Sequence, residues 1–352
     1  MKLARYRSAR DHAPCVGVVV GDLVAPIGPG AGVAGQDLLL ATAMAAATTT
    51  PGHPTPDHPT PEDPTPANPR SELLVPEQER PRVRGGDPPD PIGEPERLAD
   101  VQLLAPVPLP PSIRDFYAFE AHVATARRAR GLDMEPDWYD LPVFYFSNPG
   151  AVLGPGEAVV IPPGTSELDY ELEVAAVIGV ECADVDRTCW REVVAGFTVM
   201  NDWSARDLQR REMALGLGPA KGKDFATSLG PFLVTPDEVV GEDGLPRGVM
   251  TASVNGEEWS RGELGDLHHG WGALIAHASR AARLRPGDVI GSGTVGTGCI
   301  LELGLVHGRD RYPYLGAGDE VTLEVAGIGR LTTPVVAERP FRTADDGEGA
   351  RA

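Results

Sequence analysis

The segment Asp169-Tyr170-Glu171-Leu172-Glu173 runs straight into the apolar stretch Val174 to Val180, and this junction constrains the fold more than any other part of the chain. Side chains on a strand point to alternate faces, so Glu171 and Glu173 project side by side, about 7 Å apart along one face. Carboxylates are rarely buried unless something positive meets them. A strand that is half acid and half core therefore suggests a hard cation held by oxygen ligands. The plain alternative is a strand whose opening residues are solvated, the common case for an isolated Glu-x-Glu.

At 352 residues the chain has room for two domains, or for one large β-rich domain with an appendage. Residues 1–47 read as a small N-terminal β unit. Val18 to Val20, the turn Gly21-Asp22 and Leu23-Val24 form a hairpin, and the Ala- and Leu-rich residues 36–47 a short helix. The pentapeptides HPTPD, HPTPE and DPTPA between His53 and Ala67 end that pattern, and prolines continue to about Pro95. Proline at this density blocks helices and sheet ladders, and few apolar residues are present to offset the entropy of ordering. Residues 48–98 are therefore predicted to be a disordered, proline-rich insertion. Order resumes with a strand over Val101 to Ala105. A main domain follows over 99–340, with a disordered tail at 341–352.

Within the main domain, short apolar strands alternate with turns such as Asn255-Gly256, Pro286-Gly287-Asp288 and Gly318-Asp319. Helices are expected only near 115–130, 203–213 and 268–283. The pattern predicts a β-rich α+β fold, a sandwich or barrel-like roll, and not a doubly wound parallel sheet. Gly291, Gly293 and Gly296 spell GxGxxG after a strand. A dinucleotide fold needs a helix to open there, whereas Cys299 to Val306 reads as an alternating strand.

The formal charge of −20 argues against nucleic acid and anionic membranes, which need clustered Lys and Arg. Partners are expected to be small metabolites or copies of the chain itself. Cys15, Cys182, Cys189 and Cys299 include no CxxC pair, so neither a thiolate zinc site nor a disulfide is demanded. MKLARYRSAR carries no apolar stretch behind its basic residues, and no window approaches 18 apolar residues. The expected location is cytoplasmic.

Further chemistry-bearing residues lie along the main domain. Asp202 ends an apolar strand and opens an expected helix, with Arg206 and Gln209 near the same face. It reads either as an N-cap with an i,i+4 ion pair or as a third metal-binding acid. Asp115 and His122 are seven residues apart, which on a helix places both on one face. Glu302 is the sole charged residue between Val295 and His307, read as pointing away from Cys299, Leu301, Leu303 and Leu305. A buried carboxylate needs a partner from elsewhere, and a histidine that it orients would serve. Lys223 and Thr294 lie in Gly-flanked loops, where a lysine is ordinarily exposed and a threonine ordinarily just a turn residue.

Taken together and in order, DFYAFEAH, LPVFYF, LDYELEVAAVIG, NDWSARDLQ, GKDFATSLGP, GDVIGSGTVG and CILELG resemble the fumarylacetoacetate hydrolase family over roughly residues 101–335. The DYELE and NDWSARD segments carry the most specific part of the likeness. The resemblance implies a mixed β-sandwich roll and a divalent cation, Mg²⁺ or Ca²⁺ with Mn²⁺ a third choice, held by Asp115, Glu171, Glu173 and Asp202. It also implies the layout in which a histidine follows a metal-binding Asp by seven residues and a distant Glu orients it. Here those are His122 and Glu302. Lys223 joins them as a catalytic group, while Arg206, Gln209, Tyr145 and Thr294 match substrate-contacting positions. Gly131 falls where the family's carboxylate-gripping arginine stands, with Arg127, Arg128 and Arg130 close by.

The activity so implied is a hydrolase acting on carbon–carbon bonds in ketonic substances, cleaving a β-diketo acid or acylpyruvate-type substrate with water activated by His122. The same site would also suit an isomerase, tautomerase or decarboxylase of oxo-acids. A small-molecule oxo-acid partner and a homodimer complete the expectation.

Overall fold

The computed structural model describes residues 1–29, 32–47, 90–216, 218–241 and 246–337. Most of the expected insertion, as well as the expected tail, lies outside these residues. The chain opens with a meander, β1 (Lys2–Arg7), β2 (Pro14–Val20) and β3 (Leu23–Pro29), and then α1 (Gly32–Ala47). β4 (Glu96–Arg97) and β5 (Gln102–Leu104) lead to β6 (Ile113–Phe116), α2 (Glu120–Arg128) and β7 (Phe144–Ser147). Short strands β8 (Val152–Leu153), β9 (Val159–Val160) and β10 (Leu168–Asp169) precede the long pair β11 (Leu172–Ile178) and β12 (Val194–Asp202). Next come β13 (Ser204–Ala205), α3 (Arg206–Ala214), β14 (Thr227–Val234), α4 (Pro236–Val239), β15 (Val249–Val254) and β16 (Glu257–Glu263). The chain finishes with α5 (Trp271–Ser279), β17 (Val289–Gly291), α6 (Ile300–His307), β18 (Glu320–Val325) and β19 (Gly329–Val336).

Among the described residues, one large mixed sheet has the order β4-β3-β2-β1-β14-β12-β11-β17-β6-β7, and a second runs β16-β15-β18-β19-β9. The expected hairpin forms, Val20 pairing with Leu23 across Gly21-Asp22. The N-terminal strands are part of the large sheet, because β1 pairs antiparallel with β14. Part of the expected insertion is paired: Val24 pairs with Glu96, whose buried carboxylate accepts from Ser8 Oγ and the Ala9 amide. A carboxylate satisfied in this way can be buried, despite the prolines around it.

β11 explains the architecture. Leu172, Val174, Ala176 and Ile178 join the core shared with the second sheet, through Met250, Ala252 and Leu323. Ala175 and Val177 face the other way, packing with Leu39, Leu40 and Ala43 of α1. The strand is thus apolar on both sides because both sides are covered. Met200 of β12 and Ile113 of β6 lie in the same cluster as Ala175 and Val177. By the two-residue alternation, Glu171 and Glu173, Asp202 and Asp115 therefore share that face, beyond the end of the apolar packing.

Three sequence expectations fail here. Asp115 belongs to β6 and His122 to α2, so their seven-residue spacing spans two elements and not two turns of one helix. Asp202 closes β12, and α3 starts only at Arg206 with Ala205 as its N-cap, so Asp202 caps nothing. Glu302 sits in the first turn of α6 and not on a strand. A helix therefore does follow the GxGxxG glycines, but not in a dinucleotide fold: α6 starts after Cys299, beyond the glycines, and Gly291 and Gly293 back onto Asp115 and the Phe116 carbonyl.

Candidate active site

Neighbouring strands bring the acids together. β12 pairs with β11, β11 with β17, and β17 runs parallel to β6 with Gly291 opposite Asp115. Gly291 has to be glycine, since a Cβ there would stand 2.3 Å from Asp115 Oδ1. One carboxylate oxygen from each of Asp115, Glu171, Glu173 and Asp202 lies within 4.8 Å of the others, and all four residues are buried. Glu171 and Glu173 thus do act together, as their alternation predicts.

Two cations serve one side of this cluster. Lys223 Nζ is 2.5 Å from Glu171 Oε2 and also bonds Asp202 Oδ2. Arg206 donates Nη2 to Glu171 Oε1 at 2.6 Å, Nε to Asp169 Oδ2 at 2.7 Å and Nη1 to Gln209 Oε1 at 3.0 Å. Lys223 is therefore buried, against the ordinary expectation for a loop lysine. Its burial alone would favour the neutral amine, but Asp202 and Glu171 outweigh that and keep the ammonium charged. Burial opposes the Glu171 carboxylate too, and here Lys223 and Arg206 win, holding it below the usual range.

On the other side the help is partial, since Lys223 eases the Asp115 charge from a distance but does not outweigh burial. Burial, then the charge of Asp202, pushes the Asp115 carboxyl well above its ordinary value. Burial, then Asp115 and Glu171, does the same to Glu173. Asp115 Oδ1 accepts a long bond from the Gly293 amide (3.2 Å), Glu173 Oε1 accepts one from Thr294 Oγ1 (3.3 Å), and a protonated Glu173 can donate to Asp115. Glu173 Oε2 and Asp202 Oδ1 are buried without any hydrogen-bond partner. Four crowded oxygen donors with two orphaned oxygens are what a hard divalent cation satisfies, so the residues fit one. Tyr145, on β7 opposite Asp115, donates its hydroxyl to Asp202. Burial, then Asp202, raises its pKa well above 10, so it serves as a neutral donor.

His122 Nδ1 lies 2.7 Å from Glu302 Oε2, with both groups buried, and the Tyr117 ring meets the imidazole edge-on. The pairing predicted from sequence forms, although both residues reach it from helices. His122 and the acids Asp115, Glu171 and Glu173 line one cavity of about 960 Å³. Arg206, Gln209, Tyr145, Lys223 and Thr294 line it as well, and Ala126, Val143, Phe144, Met213, Leu301 and Leu305 supply apolar wall.

Sequence reasoning passed over Asp169, Arg309 and Tyr314. Asp169 holds Arg206, and its odd-numbered place beside Glu171 and Glu173 was the available signal. Arg309 and Tyr314 line the cavity, the guanidinium lying 4.0 Å over the Tyr314 ring. Of the arginines noted after His122, Arg130 reaches the cavity, whereas Arg127 turns to the Asp133 carbonyl and Glu135.

The family model for the fumarylacetoacetate (FAA) hydrolase C-terminal region matches residues 112–336. Human mitochondrial oxaloacetate tautomerase FAHD2A is 36% identical over 198 residues, 55% of this chain and 59% of that protein. The chain spans less than two thirds of the length of the first curated relatives it matches. The crystal structure of 5-carboxymethyl-2-hydroxymuconate delta-isomerase from Mycobacterium smegmatis has a TM-score of 0.62 at 27% identity, covering 96% of this chain and 100% of that one. Maleylpyruvate hydrolase from Sphingobium sp. SYK-6, solved with manganese (II) ion and pyruvate, gives 0.62 at 23% identity over 96% and 100%, a likeness of fold.

Proposed function

The chain belongs to the fumarylacetoacetate hydrolase family, and from that premise we propose that it is a metal-dependent hydrolase cleaving a carbon–carbon bond in a β-diketo acid or acylpyruvate-type substrate. The observation that carries the reading is the His122–Glu302 pair beside the four-carboxylate cluster. Fold alone would not support it. Asp115, Glu171, Glu173 and Asp202 would hold Mg²⁺, Ca²⁺ or Mn²⁺, which when bound supplies Lewis acidity toward the oxygens of an oxo-acid.

The protein's own groups account for the proton traffic. With Nδ1–H donated to the Glu302 carboxylate, His122 presents Nε2 as the acceptor for a water proton. The hydroxide so formed adds to the carbonyl carbon, and the carbon–carbon bond then breaks to leave a carboxylic acid and an enolate. Lys223, charged and buried, or a second water returns a proton to the departing carbon. Arg206, Gln209 and Lys223 face the negative oxygen of the addition step, where one such donor is worth about 3 kcal/mol. Tyr145 and Thr294 orient the oxo-acid head. The apolar wall of Met213, Leu301 and Leu305 suits a substrate with a hydrocarbon tail beyond that head. We also propose a homodimer, which size-exclusion chromatography with light scattering tests.

The second reading is an isomerase, tautomerase or decarboxylase of oxo-acids, favoured by the 36% identity to the human oxaloacetate tautomerase. Turnover of acylpyruvates and oxaloacetate in heavy-oxygen water separates the two. Label in one carboxylate product supports the hydrolase. Turnover with no label from attack sinks it and leaves the second reading.

A further inference from the structure

Glu302 is placed by α6, yet α6 has no cap of its own. Its N-cap residue, Cys299, makes no side-chain hydrogen bond to the first turn. The acceptor comes from the remote strand β10. Asp169 Oδ1 accepts the Ile300 amide at 2.7 Å, and Oδ2 accepts the Leu301 amide at 3.0 Å. These are the two residues immediately before Glu302. The same Oδ2 accepts Arg206 Nε at 2.7 Å, and Arg206 in turn grips Glu171. Asp169 is fully buried and lines no part of the cavity.

We propose that Asp169 is a positioning residue for catalysis, one carboxylate that sets Glu302 through the first turn of α6 and, through Arg206, the metal-binding Glu171. The inference rests on reading His122 and Glu302 as the base pair. Its physical basis is that a helix start without an acceptor leaves its first amides unsatisfied, so the turn shifts or frays. Sub-ångström misplacement of an orienting carboxylate lowers turnover without removing a reacting group. A purely structural Asp169 would instead lower the amount of folded protein and leave the folded fraction as active as before.

Two variants of the full chain, loaded with Mg²⁺, separate these roles. Asp169→Asn keeps the shape, but in either orientation its amide NH₂ meets a donor, Ile300 N on one side or Leu301 N and Arg206 Nε on the other. Asp169→Ala removes every acceptor, and if it does not fold the Asn variant carries the test. The first readout needs no substrate: the downfield proton resonance of the His122 Nδ1–H to Glu302 bond, assigned by its loss in His122→Ala. It is expected to shift or broaden in Asp169→Asn, and an unmoved resonance in folded protein overturns the proposal. The second readout is a double-mutant cycle with Glu302→Gln. Asp169→Asn is expected to lower kcat about 10- to 100-fold with KM nearly unchanged, and to cost little more once Glu302 is already Gln. Additive losses overturn the proposal. A shifted resonance in a protein that turns over no oxo-acid would keep the positioning role and sink the hydrolase reading instead.

Discussion

Glu171 and Glu173 are two residues apart, on one face of one chain segment and in one carboxylate cluster, yet their surroundings act oppositely. Glu171 meets Lys223 and Arg206 and stays ionised below the ordinary range. Glu173 meets a threonine hydroxyl and other carboxylates and is pushed well above it. Burial is common to both, so the difference comes from where α3 and the Lys223 loop deliver their cations. Both oxygens of Glu171 are paired within the protein, while Asp202 keeps one orphaned oxygen beside its bond to Lys223. The half built from Asp115 and Glu173 needs protons or a divalent ion.

The largest test of this contrast is a pair of substitutions in metal-free protein. Glu171→Gln takes a carboxylate from two buried cations at once, leaving Lys223 only Asp202 and Arg206 only Asp169, and should cost about 4 kcal/mol in urea unfolding. Glu173→Gln replaces a carboxyl whose anionic form burial and its neighbours already disfavour, and should leave stability equal or higher, while also weakening metal binding. Equal losses would erase the contrast. Lys223→Met comes next, at about 3 kcal/mol, because Glu171 keeps Arg206. Saturating Mg²⁺ should recover part of that loss, and no recovery would mean that the cation does not bind where Lys223 balances charge.

Acidity gives a smaller and graded effect. Between the ordinary carboxylate range and their raised folded values, Asp115 and Glu173 of the metal-free protein favour the protonated form more than they do in the unfolded chain. Their contribution to stability is present below the ordinary carboxylate range and is lost as pH rises through their raised folded values. Mg²⁺ requires both ionised, so its affinity should rise over that window, by up to about tenfold per pH unit for each proton released. Calorimetry in buffers of different ionisation enthalpy reads this directly, and binding without proton release would count against it. Smallest of all, Leu305→Ser on the half-exposed face of α6 should stay within about 0.5 kcal/mol and leave metal affinity unchanged.

What the sequence made legible follows from locality. The alternation of Glu171 and Glu173, the hairpin at Gly21-Asp22 and the β-rich alternation are short-range patterns, and all appear in the fold. Glu302 meets its expected partner His122, but from a helix where the local pattern reads as a strand. The cap that makes Ile300 to His307 a helix is donated from 131 residues away, so no Ser, Thr, Asn or Asp marks its start. The spacing of Asp115 and His122 imitates two helical turns, while the chain actually leaves β6 before α2 begins. Nor does anything around Lys223 signal burial, because the acids that bury it belong to β11 and β12 and their margins.

The antiparallel register of Lys2 with Val234 and Leu3 with Leu233 has a practical meaning for anyone trimming this protein. The family match starts at residue 112, which invites an expression start nearby. Such a fragment would strip β1 from the flank of β14 and bare a row of unpaired amides and carbonyls beside apolar Leu229 and Leu233. Exposed strand borders of that kind recruit other chains and precipitate. Strands β1 to β3 therefore work as a built-in seam for the sheet, whatever chemistry the other end performs.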